Sequence, residues 1–302
     1  INVTGNTRTR DTVVRREMRQ LESGWYAGQQ INRSKERIDR LQYFDTVEFE
    51  TPAVPGTNDQ VDLNVNLAER STGSIQFGAG LSSNEGVVLG FNINQPNFLG
   101  TGNRVATQIN TSRVNTVYSL SFTDPYFTPD GISRGFDVYR RDVDTDTSNT
   151  DQLGSYKSSS YGVGVRFGLP LTERDFLSAG ITADFTQIEL NSSSPIQYIN
   201  FCGDVNATCN SNSIQLSAGW TFDSRDNILF PNRGVLQRLT AEVAVPGLDL
   251  QYYKINYQHA WYKDLTNSFT LMLNGELGYA DTYGGKKYPF FKNYFLGGVN
   301  SL

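Results

Sequence analysis

TGSIQFGAGL, residues 72–81, decides how the rest of the chain is read. Along an extended backbone Ile75, Phe77, Ala79 and Leu81 fall on one side, and Ser74, Gln76, Gly78 and Gly80 on the other, a strict period of two. The alternation recurs. YGVGVRFGL, residues 161–169, sets Tyr161, Val163, Val165, Phe167 and Leu169 against Gly162, Gly164, Arg166 and Gly168. SIQLSAGWTF, residues 213–222, repeats it with Ile214, Leu216, Ala218, Trp220 and Phe222. FTLMLNGELGY, residues 269–279, does so with Phe269, Leu271, Leu273, Leu277 and Tyr279. About eleven such strands are expected, starting near residues 72, 86, 104, 116, 133, 156, 175, 213, 233, 251 and 268, each near the length that crosses a bilayer at a tilt.

A soluble sandwich alternates too, but its outer face carries charge. Here the face opposite the bulky residues is Ser, Thr, Gly, Asn and Gln with an occasional charge, which suits the wet lumen of a transmembrane β-barrel. Charged residues make up 19% of the chain, below the quarter usual in soluble domains, and aromatics 12%. Mean hydropathy is −0.42, and no run of apolar residues is long enough for a membrane-spanning helix. A net charge of −5 without a basic stripe argues against nucleic acid as a partner.

The connections alternate in length. One set is long: the acidic DVDTDTSNTD from Asp142 to Asp151, the Asn/Ser-rich 191–212, and the segment from Asp281. The other set is short and carries turn chemistry, as at Asp124-Pro125, Thr172-Glu173-Arg174 and Asp264-Leu265-Thr266. Long loops on one side and short turns on the other are the outer-membrane pattern.

Residues 1–70 read differently. INVTGN suggests a short strand and a glycine turn. Thr9 is placed to cap a helix carrying Val14, Met18 and Leu21, with Asp11 in its first turn and Gly24 at its end. A second helix aligns Ile31, Ile38 and Leu41. FDTVEF and then VDLNVNL, with Val61, Leu63, Val65 and Leu67 alternating, predict two strands. The order β-α-α-β-β makes a small α+β domain over 1–70, followed by an antiparallel transmembrane barrel over 71–302. Ile1 opens inside a strand-like run, so the natural N-terminus is expected upstream.

Few motifs suggest chemistry. The Asp142–Asp151 run has alternating acids, but Thr147 stands where a calcium loop needs glycine and Leu153 where it needs its closing glutamate, which favours a solvated loop. The single histidine, His259, shares a strand face with Tyr257 and Trp261 and suits packing or an interface. No Ser/His/Asp set, phosphate loop or metal-spaced cluster is found, so no catalysis is expected. Asn206-Ala-Thr matches a glycosylation pattern that is common by chance. Cys202 and Cys209 would pair across a short loop in an oxidising compartment. FTDPYF, residues 122–127, and DSRDNILFPNRG, residues 223–234, join strand ends to turns through Asp124, Pro125, Asp223, Arg225, Asp226, Pro231 and Gly234. Asp223, Arg225 and Asp226 could fix a turn by charge.

In this order the motifs are similar to those of the Omp85 family. INVTGNTRTRDTVVRREMRQLESGW, KERIDRLQYFDTVEF and DQVDLNVNLAER resemble the last POTRA domain, the one that adjoins the barrel. GSIQFGAGLSSNEG resembles the first barrel strand and its loop, and FTDPYF and DSRDNILFPNRG resemble family turns. YFLGGVNSL, with Gly297 and Gly298, resembles the entry to the sixth extracellular loop, which in the family turns back into the lumen. The family's loop continues with an Arg-Gly-aromatic tip that this sequence does not contain, and its barrel has about sixteen strands. An open sheet belonging to a longer protein is therefore expected.

The resemblance implies insertion and folding of β-barrel proteins in the bacterial outer membrane, with the N-terminal domain in the periplasm. It implies unfolded outer-membrane barrel proteins, accessory periplasmic lipoproteins and outer-membrane lipid as partners, and no cofactor. The first strand, Ser74, Ile75, Gln76, Phe77, Gly78 and Gly80, is the expected pairing edge for a substrate strand, because its glycines pack weakly. Ser74 and Gln76 would face the lumen, and Ile75 and Phe77 the lipid. The N-terminal domain is expected to offer a sheet edge of its own at 61–67. A two-partner secretion pore of the same superfamily, exporting one cognate polypeptide, is the alternative.

Overall fold

The computed structural model describes residues 1–83, 85–145, 156–204, 208–227, 230–266 and 269–294. Two compact units emerge. One gathers residues 1–76 with 92–107 and 122–125, and the other 77–91, 108–121 and 126–302.

The N-terminal domain runs β1 (Asn2–Thr4), α1 (Asp11–Arg15), α2 (Gly28–Leu41), β2 (Phe44–Glu50) and β3 (Asn64–Glu69), the predicted order. Leu63, Val65 and Leu67 of the third strand region point inward and pack with Val13, Val14, Ile31, Ile38 and Val47. Gln42 ends α2 in the left-handed region at φ 60°, which swings the chain straight into β2. Arg70 fixes that corner by donating to the Gln42 carbonyl at 2.8 Å and to its side-chain oxygen at 2.9 Å.

Three sequence expectations fail here. The first helix is only five residues long, and Leu21 is 75% exposed. Glu17 turns inward to meet Arg37 at 2.8 Å, and the Arg19 amide donates to Ser34 Oγ at 2.7 Å instead of to a carbonyl one turn back. Arg10, not Thr9, precedes the helix. Thr9 is buried, its amide donating to Glu69 at 2.6 Å and its hydroxyl accepting from Asn97 at 2.8 Å. Finally, the sheet order is β1-β3-β2, with β1 parallel to β3. The strand within 61–67 is therefore central rather than an edge, and Val61 lies outside it, half exposed. The longer edge is β2.

The same unit holds the turn that follows the second barrel strand. Arg10 donates its amide to the Gly100 carbonyl at 2.9 Å, and the Tyr43 hydroxyl donates to the Pro96 carbonyl at 2.9 Å. Gly100 has φ 70°, and a Cβ there would lie 1.9 Å from the Arg8 carbonyl oxygen, so no other residue fits.

The barrel strands are β4 (Ser74–Ser82), β5 (Gly86–Phe98), β6 (Asn103–Thr111), β7 (Asn115–Asp124), β8 (Ser133–Asp144), β9 (Tyr156–Pro170) and β10 (Asp175–Leu190). After α3 (Ile196–Cys202) and β11 (Thr208–Asn210) come β12 (Ser213–Asp223), β13 (Gly234–Ala244), β14 (Tyr252–Thr266) and β15 (Phe269–Thr282). Apart from β11, which pairs only with β10, they form one antiparallel path in chain order from β4 to β15. Each begins within two residues of its predicted start. The two end strands do not pair with each other among the described residues.

The outer face carries the predicted bulky set, with Tyr161 60%, Val163 53% and Leu277 74% exposed. The inner face is polar and hydrogen-bonded. Arg166 grips Asp137 at 2.5 and 3.1 Å and reaches Ser121 at 3.0 Å. The Tyr139 hydroxyl donates to Asp184, which also accepts from Thr186 at 2.7 Å. These pairs give the strands a register that a hydrophobic outer face alone would leave free to slip.

Candidate functional site

The strand β4 lies at the end of the sheet, so one of its two rows of N–H and C=O groups has no strand partner among the described residues. Ser74, Ile75, Gln76, Phe77, Gly78 and Gly80 all belong to it, and every one of its residues is exposed. Ile75 is 73% and Phe77 74% exposed. A Cβ at Gly78 or Gly80 would meet nothing within 4 Å. Neither glycine is required by crowding, so their effect is to weaken the strand: no side chain packs there and the backbone gains freedom. Gly73 differs, because a Cβ there would lie 2.1 Å from the Gln95 side chain.

The turn motifs are built by carboxylates. Arg225 donates to both oxygens of Asp223, at 2.9 and 2.7 Å. Asp226 Oδ1 accepts the amides of Asn227, Asn232 and Arg233 at 3.0, 2.9 and 3.1 Å, and the Asp226 amide returns to the Arg233 carbonyl at 3.0 Å. The amides of Arg233 and Asn232 hold the Asp226 carboxyl below its ordinary pKa. Pro231, which has no amide to offer, sits just before this pair. Gly234 resumes the strand at φ 115°, where a Cβ would lie 2.4 Å from the Ser224 carbonyl oxygen. Asp124 ends β7 and Pro125 follows it, opening the turn to β8.

Beyond β15 the chain returns over the inner face. Tyr294 donates its hydroxyl to the Ile255 carbonyl at 3.0 Å, and its ring packs on Gly278, where a Cβ would come within 2.8 Å of it. Lys254 Nζ lies 4.4 Å from the centre of that ring and donates to the Lys292 carbonyl at 2.8 Å. Beside them Tyr252 donates to Glu242 at 2.5 Å. Glu242, Lys254 and Tyr294, with Ser217, Thr240 and Asn256, line a cavity of about 400 Å³. Gly297 and Gly298 lie outside the described residues.

The long loop 191–212 contributes an aromatic cluster that the sequence reading did not anticipate. Tyr198 of α3 stacks on Phe290 with centroids 3.8 Å apart, and Tyr156, Phe201 and Phe291 meet the same ring edge-on. Cys202, the last residue of α3, is disulfide-bonded to Cys209 of β11 with Cα atoms 5.5 Å apart. The signal was present in KKYPFFKNYF, residues 286–295, too aromatic for a solvated loop. His259 faces outward, with Nδ1 3.3 Å from the Gln237 amide nitrogen and 3.4 Å from the Tyr257 hydroxyl. Of the acidic run, Asp142 pairs with Arg140 at 3.0 Å and Asp144 with Lys157 at 3.0 Å, and the stretch 146–151 lies outside the described residues.

Comparison with known proteins adds sequence relatives to this geometry. The Omp85 superfamily domain model matches residues 97–302, and the POTRA model, described as a surface antigen variable number repeat, matches residues 1–70. The chain is 41% identical, over its full length, to the outer membrane protein assembly factor BamA of Neisseria meningitidis, and covers 39% of that protein. Among solved structures, BamA from Haemophilus ducreyi lacking POTRA domains 1–3 matches all of this chain with a TM-score of 0.77 and 31% identity, over 58% of its own length. CdiB from Acinetobacter baumannii shares the fold, with a TM-score of 0.61 at 12% identity. The chain thus spans well under two thirds of the curated relative.

Proposed function

The chain belongs to the Omp85 superfamily, and from that premise we propose that it works in the insertion and folding of β-barrel proteins in the bacterial outer membrane. It is an outer-membrane barrel protein with a periplasmic POTRA domain. We assign residues 1–70 to that domain and 71–302 to the barrel.

The observation that supports the mechanism we propose is that β4 is the first strand of the sheet, exposed along its whole length and without a strand partner on its outer side among the described residues. An incoming strand that pairs there exchanges hydrogen bonds to water for hydrogen bonds to backbone, and its apolar side chains enter lipid beside Ile75 and Phe77. No nucleotide is needed, because burial of apolar surface drives the step. The glycines at 78 and 80 keep the edge loosely held, so a substrate strand displaces little on arrival. Ser74 and Gln76 face the lumen in this scheme. On the periplasmic side, β2 is the edge open to unfolded substrates or to accessory lipoproteins.

Two pairs of proline substitutions test the edge. Gln76→Pro with Gly78→Pro removes N–H groups from one side of the strand, and Ile75→Pro with Phe77→Pro from the other. The pair that strips the outward row should abolish insertion of barrel precursors while the protein itself stays folded. Intact insertion with both pairs would falsify edge pairing. A photo-crosslinker at Ile75 separates the functions: adducts with many unrelated barrel precursors support assembly, and adducts with one exported polypeptide support a secretion pore.

A further inference from the structure

The registers of the barrel sheet place one row of outward residues on a line across five strands. Arg134 of β8 pairs with Phe167 of β9, Phe167 with Ala179 of β10, Ala179 with Ala218 of β12, and Ala218 with Ala241 of β13. The rows two residues to either side are bulky: Leu177, Trp220 and Leu239 on one, Ile181, Leu216 and Val243 on the other. Residues two apart share a face, so three alanines lie between two ridges. Over the alanines, against the Leu177, Trp220 and Leu239 ridge, lies an apolar trough of about 430 Å³, and past Phe167 and Ala179 a second of about 730 Å³ lies against Ile181 and Leu216. These are volumes typical of small-molecule sites.

The row climbs across the membrane. Arg134 is the second residue of β8, at the periplasmic rim, whereas Ala241 lies towards the far end of β13. A trough along it therefore leads from the rim into the bilayer. Arg134 lines neither trough but lies next to both, its guanidinium 3.9 Å from the centre of the Phe127 ring and 5.3 Å from that of Phe136, which lines the second. No carboxylate pairs with it among the described residues, and its Nε is buried without a hydrogen bond, so an incoming anion would meet the terminal nitrogens. An unpaired cation on a lipid-facing surface is costly unless an anion meets it at the interface, and a planar guanidinium suits a phosphate.

We propose that this row is a binding site for one anionic glycerophospholipid of the periplasmic leaflet, its phosphate on Arg134 and an acyl chain in the alanine trough. The inference rests on the barrel's place in the membrane and stands apart from the insertion mechanism.

Native mass spectrometry of the full-length protein in a non-ionic detergent, titrated with palmitoyl-oleoyl phosphatidylglycerol, tests it. The wild type should retain one lipid. Arg134→Gln, which removes the charge, and Ala218→Phe, which fills the trough, should each weaken retention by roughly tenfold or more. Heat-dependent electrophoretic mobility verifies that each barrel is folded, and Ala241→Leu replaces Ala218→Phe if that variant is not. Wild-type retention by either the charge or the trough variant overturns the site. So does displacement of the lipid by inorganic phosphate, which would mark a free-anion site instead.

Discussion

Ser34 shows how one polar atom can end a helix elsewhere in the chain. It is fully buried on the inner face of α2, where its Oγ accepts the Arg19 amide at 2.7 Å and donates to the Gln30 carbonyl at 2.8 Å. Ser34→Ala leaves the Arg19 amide without that acceptor, and the expected loss is about 1–2 kcal/mol, measurable by denaturant titration of the unfolding of the N-terminal domain. Glu69 works similarly at the other end of the domain. Its carboxylate accepts the amides of Thr9 and Arg8 and the hydroxyl of Thr7. Partial burial pushes its pKa upward, but the amides of Thr9 and Arg8 outweigh burial and leave it below the ordinary carboxylate value. A depressed folded pKa stabilises above the unfolded value and is lost as pH falls through the folded one. Protection of the Arg8 and Thr9 amides from hydrogen exchange should therefore be lost only as pH falls beneath the ordinary carboxylate range, and Glu69→Gln should remove that dependence. Neither role was legible in the sequence. Ser34 sits within an otherwise apolar stripe, and Glu69 meets its partners only once β1 and β3 lie side by side.

At the scale of the element, period two proved far more readable than period 3.6. A strand face is declared by every second residue, and SIQLSAGWTF states it five times within ten residues. Helix α1 rested on three apolar positions, and the burial of Glu17 against Arg37 overrode them. The aromatic cluster around Phe290 escaped notice because its members come from three separated segments. A related lesson attaches to Gly278 of β15. In the sequence it looks like any lumen-facing glycine, but it makes the floor on which Tyr294 rests. Gly278→Leu cannot coexist with that ring position, so the returning segment should lift from the inner face. Single-channel recordings in planar bilayers would then show a higher conductance than the wild type, and an unchanged conductance would mean that Tyr294 does not narrow the lumen.

For the whole molecule, the chain order of the strands is also their spatial order, and that was legible because antiparallel neighbours need only turns. What the sequence could not display is where protection is strongest. β9 and β10 are paired on both edges over long registers, whereas β4 is paired on one among the described residues. Hydrogen exchange in detergent should release the amides of residues 74–82 well before those of 161–169, and equal rates would count against a loose edge. The same ordering has a kinetic reading. Each strand can zip onto the one synthesised just before it, so every loop closed along the way is short and its entropy cost small. A same-chain partner for the free side of β4 would have to come from beyond β15, by a closure spanning nearly the whole barrel. By polymer statistics alone that contact forms last and breaks most easily, before any glycine is considered.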